Sequence, residues 1–463
     1  MYNEDDPVND FQQEISLDTA FNLPREFSEH TAVLGKHLIV AATHANWLVC
    51  DDEEYRAFLL LKAGRTVREA IADLIGQGFL EPEAIAVVSR TLAQIMGKDF
   101  REDAPLRERT FFRSANLNLT AGCNLRCVTC LRNATVALPN ECSLDDWKRF
   151  LIAFKNGGAE YVINTGGEPM LNPDHVEIIR FEKSLGLQVV MLTNGTLVNV
   201  VNAGALCRYC DEIQVSIDGP DRASHEKTRG VGTFDQVLIG LRCLAKFTNC
   251  KLSVAMTPTP DTLPAFKSSL GGFLRRLQKE VRPDITLRVS TRLLEGRAVT
   301  CRTPEQNEDY YAQVIALCDE QIEPGFIDRL SAVSVVPNQR VTSCGVAETF
   351  NVMADGSIRI CQYSPEVFGN IKGIGKTDGA DFIQGVKAKL RALIDGVSVE
   401  KAHPCSNCEL RYICGGTCRR ENERDRGDPL VSGCSVRYKT MWLERLVRIN
   451  PYIVVPVESA EGR

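Results

Sequence analysis

The sequence predicts an α/β protein built around a partial (βα)6 TIM-like barrel, with a small domain before the barrel and a cysteine-rich domain after it. Strand-like and helix-like patterns alternate between Asn116 and Val289, which is the order that builds a parallel sheet with outer helices. A β-rich segment and three helix-like segments precede this region, and closely spaced cysteines follow it.

Size and charge limit the classes of protein that fit. A chain of 463 residues exceeds one ordinary domain, so two or three domains are expected. The 54 basic and 60 acidic residues give a net charge of -6, which argues against a nucleic-acid partner.

The first residues, MYNEDDPVNDF, lack the pattern of a secretory signal, and no apolar stretch is long enough to span a membrane. We therefore expect a cytoplasmic protein without a membrane partner. In that reducing compartment, eighteen cysteines indicate metal or redox chemistry.

The N-terminal region is predicted to begin with a disordered tail, residues 1–20, because it is polar. Residues 21–105 are predicted to form a small domain. Strands are expected in Thr31–Thr43 and Trp47–Cys50. Three helices are expected to follow: the first covers Glu53–Lys62, the second begins at a capping box formed by Thr66 and Glu69, and the third runs from about Pro82 to Gly97.

The barrel is predicted to span residues 106–310, after a charged linker. The predicted strands are Asn116–Ala121, Tyr161–Thr165, Leu187–Thr193, Glu212–Ile217, Lys251–Thr257 and Ile285–Val289. Helices between them include Leu144–Lys155, Pro173–Leu185 and Phe234–Phe247. Functional groups are expected in the loops that follow the strands.

Three cysteines with C-x3-C-x2-C spacing follow the first barrel strand: Cys123, Cys127 and Cys130. Three thiolates can hold three irons of a [4Fe-4S] cluster and leave the fourth iron open to a chelating small molecule. The alternative is a zinc site, but structural zinc sites close with four ligands, usually in C-x2-C pairs.

This motif resembles that of the radical S-adenosylmethionine (radical SAM) enzymes. The resemblance implies that SAM is the cofactor and that its methionyl amine binds at Gly166, Gly167, Glu168 and Pro169. It also implies that the ribose and carboxylate of SAM are held by residues after the third and fourth strands, namely Asn194, Ser216, Asp218 and Arg229. The alternative for each is an ordinary loop residue.

Two further positions bear on the resemblance. Leu294–Ala298 resembles the closing element of the family. Thr129 stands before the third cysteine, where the family often has an aromatic residue against adenine, so adenine stacking is not implied there.

The C-terminal domain, residues 311–463, contains a second cysteine pattern: Cys344, Cys361, Cys405, Cys408, Cys414, Cys418 and Cys434. These spacings resemble the SPASM extension, which carries two auxiliary [4Fe-4S] clusters and would bring the total to three. The resemblance assigns Cys405, Cys408, Cys414 and Cys434 to one cluster.

It assigns Cys344, Cys361 and Cys418 to the other auxiliary cluster, whose fourth ligand is Cys318, Cys301 or none. The alternative is a zinc ribbon. Most of the eight remaining cysteines, which include those two, are expected to be buried apolar residues: Cys50, Cys142, Cys207, Cys210, Cys243, Cys250, Cys301 and Cys318.

The order of elements before the barrel, with the stretch GRTVREAI, resembles the winged-helix leader-recognition domain of peptide-modifying systems. The alternative is a capping or dimerisation domain. The resemblance implies a peptide or protein maturase that abstracts hydrogen with a 5'-deoxyadenosyl radical and makes a crosslink or an oxidised residue. Its partners would be a precursor peptide and a one-electron reductant of the flavodoxin or ferredoxin type. No catalytic base is identified.

Three other functions stay open. A sulfatase-type maturase that forms formylglycine tends to have an acidic residue after the second extension cysteine, whereas this chain has Gln362. An iron-sulfur electron carrier or redox sensor would keep the cysteines but would not need Glu168 or the Ser216 loop. A leader-binding scaffold would depend on the N-terminal domain alone.

Overall fold

The computed structural model describes residues 15–107, 112–290, 297, 304–321, 327–330, 335–345, 349–375 and 379–450. Of the predicted features, residues 1–14, most of the Leu294–Ala298 element, Cys301 and residues 451–463 lie outside these ranges.

The N-terminal domain consists of a three-stranded antiparallel sheet followed by three helices, which confirms the predicted order of elements. The strands are β1 (Ser28–Val33), β2 (Lys36–Ala41) and β3 (Asn46–Cys50). The helices are α1 (Asp52–Lys62), α2 (Val67–Gly76) and α3 (Glu81–Gly97). The predicted capping box of α2 is present, because Thr66 accepts from the Glu69 amide and Glu69 from the Thr66 amide.

The predicted disordered tail was too long. Ile15 is buried against the helices, and the Arg68 and Val67 amides donate to Leu17 and Thr19. The prediction for residues 15–20 was wrong because it rested on polar composition. The burial of Ile15 and the backbone hydrogen bonds from Val67 and Arg68 are long-range contacts that composition does not indicate.

The N-terminal sheet is buried on both faces. One face packs against α1, α2 and α3 through side chains such as Ile39 and Leu48. The other face, which includes Leu38 and Trp47, packs against Trp442 and Leu446 in the C-terminal region. The small domain is therefore fixed to the rest of the protein by a hydrophobic interface.

The central sheet contains all six predicted strands, shifted by at most three residues at an end. They are β4 (Ser114–Asn118), β5 (Tyr161–Thr165), β6 (Gln188–Thr193), β7 (Glu212–Ser216), β8 (Lys251–Met256) and β9 (Thr286–Val289), all parallel. Helices between them are α4 (Leu144–Asn156), α5 (His175–Ser184), α6 (Ala203–Tyr209), α7 (Arg222–Arg229), α8 (Thr233–Leu244) and α9 (Leu263–Glu280). The carboxyl ends of these strands therefore lie along one edge of the sheet.

The helices between the strands cover the sheet with apolar faces. Trp147, Phe150 and Phe154 recur along α4 at helical spacing and are completely buried. They join side chains of β4 and β5 in one hydrophobic core.

The sheet is larger than the six predicted strands. After α10 (Pro304–Gln321), strand β10 (Ile327–Leu330) adds in parallel to β9, and β11 (Phe350–Val352) adds in parallel to β4. Strands β12 (Ser357–Arg359) and β13 (Val367–Asn370) continue antiparallel from β11, so the sheet has ten strands. Strands of three or four residues are too short to show a hydrophobic period, which is why the sequence did not predict them.

The C-terminal region is not separated from the central sheet. The boundary predicted between residues 310 and 311 falls inside α10, so that prediction was wrong. The remaining helices are α11 (Gly379–Gly396), α12 (Arg411–Cys414), α13 (Arg419–Arg426) and α14 (Val436–Arg448). Within the described ranges, no helix combines the length and apolar character that a membrane crossing requires.

Candidate active site at the carboxyl edge of the sheet

The cysteine triad lies in the loop after β4, as predicted. Cys123, Cys127 and Cys130 are each half-buried, and the Cys130 amide donates to the Cys127 carbonyl at 3.2 Å. Burial raises the pKa of the Cys123 and Cys127 thiols, and the charges of the neighbouring cysteines act in the same direction. The fold thus brings the three thiols together.

Arg229 supplies positive charge to this loop. Burial disfavours its charged form, but Asp218 and the thiols outweigh burial and raise the pKa of Arg229. In turn, its guanidinium lowers the pKa of Cys123 and Cys127, against the larger effect of burial. Arg229 therefore favours the thiolate forms that bind metal.

Asp218 fixes the position of Arg229. Nε of Arg229 donates to Asp218 Oδ2 at 2.8 Å, and Thr257 N donates to Asp218 Oδ1 at 2.8 Å. Thr129, which replaces the family's aromatic residue, lies 3.4 Å from the same carboxylate through its hydroxyl. The cysteine loop is thereby tied to the ends of β7 and β8.

The two glycines of the GGEP segment are required by a neighbouring backbone. Side chains at Gly166 and Gly167 would collide with the backbone at Thr120 and Gly122, just before the triad. The Gly167 amide donates to the Thr120 carbonyl, and the Glu168 amide to the Gly122 carbonyl, both at 2.8 Å. The glycines therefore allow the GGEP backbone to pack closely against the cysteine loop.

Glu168 is completely buried at the centre of this edge. Its carboxylate accepts from the Thr193 hydroxyl and the Asn194 amide, both at 2.8 Å, and from the Met170 amide at 3.3 Å. Burial raises the pKa of Glu168, and these donors partly offset that effect. Glu168 thus fastens the end of β6 to the GGEP loop, while its binding of the methionyl amine stays a prediction.

Replacing Glu168 by Gln should lower the free energy of unfolding by about 1–3 kcal/mol, the cost of leaving a buried donor unsatisfied. The amide cannot accept at both former oxygens, so the Asn194 amide or the Thr193 hydroxyl loses its acceptor. Urea denaturation checks this. Glu177→Gln on the exposed side of α5 is the matched control, and equal effects of the two changes would contradict the assignment.

The other predicted SAM residues lie on the same edge. Pro169 is buried and begins a short turn after Glu168. Asn194 donates to Asn124 Oδ1 at 2.8 Å and so contacts the cysteine loop directly. Ser216 is the last residue of β7 and is half-buried. The structure therefore brings all eight predicted residues to the edge of the sheet that carries the triad.

Arg297 is the one described residue of the element predicted to close the site. It donates to the Cys127 carbonyl at 3.1 Å, to the Ala134 carbonyl at 2.7 Å and to Asn133 Oδ1 at 2.8 Å. Its own amide donates to the Cys130 carbonyl at 3.3 Å. Arg297 therefore holds the backbone of the cysteine loop in place.

The C-terminal cysteines form at least two groups. The charges of Cys405, Cys408 and Cys434 act on Cys414, whose pKa is raised to about 12, mainly by burial. A hydrogen bond between Cys344 and Cys418 is the largest cause of the raised pKa of Cys418. Cys361 lies two residues beyond β12, and its charge acts on Arg132, as does the charge of Cys130 in the triad. Cys318 is completely buried in the core around the central sheet.

The group of four cysteines lies beneath the N-terminal sheet. Cys408, Cys414 and Cys434 pack against the hydrophobic cluster that contains Trp47 and Trp442. Across the same interface, Glu409 lies 3.2 Å from His30 and 2.8 Å from Lys439. The hydrogen bond with His30 is the main cause of the lowered pKa of Glu409, and burial, the next largest effect, acts in the opposite direction. The small domain therefore shields these cysteines from solvent.

The residues present fit iron-sulfur clusters. Half-buried thiols are grouped in threes and fours, and a guanidinium beside the triad offsets the negative charge of its thiolates. In the described part of the chain, no three Cys, His, Asp or Glu side chains are placed to bind one metal ion together. A four-iron cluster does not require such convergence, because each ligand binds a different iron.

Comparisons with known proteins agree with this chemistry. Residues 117–262 match the Radical SAM superfamily. An AdoMet-dependent heme synthase of Oleidesulfovibrio alaskensis is 37% identical over 152 residues, which cover 32% of this chain and 39% of that protein. The mycofactocin maturase MftC of Mycobacterium ulcerans is 32% identical over 142 residues, covering 30% and 38%. The chain thus matches less than half the length of these relatives.

Two solved structures share the fold. The structure of anSMEcpe with bound AdoMet and a Cp18Cys peptide has a TM-score of 0.53 at 18% identity and covers 72% of this chain and 96% of that one. SuiB of Streptococcus suis bound to S-adenosylmethionine has a TM-score of 0.51 at 14% identity, covering 90% and 99%. The chain thus contains a segment that matches the Radical SAM superfamily, and it shares its fold with these two structures.

Proposed function

We propose that this enzyme modifies a peptide or protein substrate by abstracting a hydrogen atom, and that it carries two auxiliary clusters besides the SAM cluster. The observation that carries the proposal is the convergence of Cys405, Cys408, Cys414 and Cys434, the group that the SPASM resemblance assigns to one auxiliary cluster. A peptide accompanies AdoMet in the anSMEcpe structure, and a maturase is among the relatives.

When bound, the SAM cluster and SAM would supply a 5'-deoxyadenosyl radical that abstracts hydrogen from an unactivated carbon. Cys123, Cys127 and Cys130 would hold that cluster. Arg229 would keep their thiolates charged, and Glu168 would keep the GGEP loop against the end of β6, where SAM is proposed to lie. The reductant is proposed to be a flavodoxin or ferredoxin.

The location of Cys361 supports a role for the other auxiliary cluster near the substrate. Strand β11 pairs directly with β4, whose following loop carries the triad, and β12 leads to Cys361. The turn between β11 and β12 requires Gly356, because its φ is 84° and a side chain there would lie 2.9 Å from Cys142 Sγ. The charges of Cys361 and Cys130 both act on Arg132, so a cluster at Cys361 would lie near the triad.

The N-terminal domain is proposed to bind the leader of a precursor peptide. Because one face of its sheet is covered by Trp442 and Leu446, the edge of β1 and the outer sides of α1–α3 are the surfaces left for a leader. A precursor without its N-terminal half should bind the full-length enzyme more weakly in fluorescence anisotropy. Equal binding of both peptides would contradict this role.

The proposed reaction is tested by incubating the anaerobically reconstituted enzyme with SAM, dithionite and peptides encoded beside its gene. Mass spectrometry should show the loss of two hydrogens, as expected for a crosslink or an oxidised residue. A product labelled with one deuterium from D2O would indicate epimerisation instead. No change in any peptide, while SAM is cleaved, would contradict a peptide substrate.

A second candidate function is the modification of a heme-type tetrapyrrole. The 37% identity to an AdoMet-dependent heme synthase favours it, although the match covers 39% of that protein. Adding tetrapyrrole precursors to the same assay distinguishes the two functions, because only one class of compound should change in mass.

A further inference from the structure

Two arginines lie beside strand β11, outside the residues assigned to SAM: Arg132 contacts Met353 just after β11, and Arg359 pairs with Asn351 within it. Arg132 lies two residues after Cys130, and Arg359 ends β12, two residues before Cys361. They are close enough for the charge of Arg359 to act on Arg132, and the charges of Cys130 and Cys361 act on it as well. The two guanidinium groups therefore lie between the triad and the loop of an auxiliary cysteine.

Neither arginine is fully satisfied by the described part of the protein. Arg132 Nη1 donates to the thioether sulfur of Met353 at 3.1 Å, a weak acceptor. Its Nη2 is buried without a hydrogen-bond partner, and so is Nε of Arg359. A buried, unpaired donor on a charged group is costly, so two of them side by side indicate an anion that completes the site.

One carboxylate near Arg359 does not meet this need. Asp355 feels the charge of Arg359, but its Oδ1 accepts from the Ser357 amide at 3.0 Å and from the Ser357 hydroxyl at 2.7 Å. Lys372 also acts on Asp355. Asp355 is therefore used within the β11–β12 turn, and it forms no ion pair with Arg132.

We propose that Arg132 and Arg359 bind a carboxylate of the substrate. Guanidinium groups bind carboxylates in a planar, two-pronged geometry, and both side chains are half-buried, so part of each is accessible. The site would hold the substrate between the triad and Cys361. This inference rests on the proposed function, because it concerns the substrate of the same site. The carboxylate belongs to a peptide C-terminus, to an Asp or Glu side chain, or to a tetrapyrrole.

The test uses 13C-labelled glutarate as a carboxylate probe and glutaramide as its neutral counterpart. Binding to the anaerobically reconstituted enzyme with SAM is measured by NMR line broadening. The variants are Arg132→Gln, Arg359→Gln and the charge-conserving Arg132→Lys. Arg275→Gln, an exposed position on α9, is the matched control. Thermal unfolding verifies that each variant is folded, and 5'-deoxyadenosine formation without substrate verifies that SAM cleavage is intact.

Glutarate should bind at least about tenfold more tightly than glutaramide, and each Gln variant should weaken glutarate binding by about tenfold or more. Arg132→Lys should retain part of the affinity, and Arg275→Gln all of it. Peptide pairs ending in carboxylate or amide, peptides with Glu or Gln inside, and a tetrapyrrole then identify the source of the carboxylate.

Equal binding of glutarate and glutaramide would overturn the inference. The inference would also be overturned if the Gln variants bound glutarate as tightly as the wild type but had a shifted cluster reduction potential. That result would show that the arginines only balance the charge of the cluster. Intact SAM cleavage in these experiments would leave the radical chemistry standing. Failure of the wild-type enzyme to cleave SAM would instead contradict the proposed function itself.

Discussion

A Cys127→Ala variant is expected to lose the reductive cleavage of SAM completely. Cys127 is the middle residue of the triad, and Arg229 is the largest influence on its thiol pKa after burial. Because only three thiols are available to the SAM cluster, the loss of one leaves two irons without a protein ligand. The measurement is 5'-deoxyadenosine by liquid chromatography after anaerobic reconstitution and dithionite reduction.

The control for this experiment is Cys243→Ala. Cys243 is also buried but lies on α8 in the hydrophobic core, and no cluster is assigned to it. This variant should bind as much iron as the wild type and form 5'-deoxyadenosine at a similar rate. Full activity of the Cys127→Ala variant would show that the triad does not hold the SAM cluster.

The largest effect on stability is expected from Arg229→Met. The side chains of Arg229 and Asp218 are only 13% and 1% exposed, so removing the guanidinium leaves a buried carboxylate without its countercharge. Breaking a buried ion pair in this way costs about 3–5 kcal/mol. The same change removes the charge that favours the thiolates of Cys123 and Cys127, so the reconstituted variant should also hold less iron. Urea denaturation and iron analysis measure the two effects.

Arg222→Met is the matched control, since Arg222 lies on the same helix and forms ion pairs with Glu226 and Asp235 at the surface. Exposed pairs contribute little to stability, so this variant should unfold at nearly the wild-type urea concentration. Similar losses in the two variants would mean that the Arg229 and Asp218 pair has no special role.

The sequence predicted the parts of the fold whose signals are local. The strands β4–β9 are apolar runs bounded by turn residues, and Thr66 and Glu69 mark the start of α2 by themselves. The triad was predictable because the spacing of three cysteines within eight residues limits what they can bind. The structure adds that the Thr129 hydroxyl lies 3.4 Å from Asp218 Oδ2.

Other features depend on residues that are distant in the sequence. The pairing of β11 with β4 joins segments more than 230 positions apart, as in the hydrogen bond from Asn118 to the Val352 carbonyl. The GGEP glycines pack against the backbone at Thr120 and Gly122, which belongs to a different βα unit. Only the folded chain shows that Glu168 fastens β6, or that Arg132 and Arg359 meet, because neither relation leaves a periodic or spaced pattern in the sequence.

The central claim is that the triad leaves an iron open for SAM. The most direct test is electron-nuclear double resonance of the anaerobically reconstituted, reduced enzyme with SAM labelled with 15N at its amine. We predict a 15N coupling from a nitrogen bound to the cluster, together with equal amounts of methionine and 5'-deoxyadenosine after turnover. Purified protein that holds zinc in place of iron and sulfide, or a reduced cluster with neither the coupling nor the products, would contradict it.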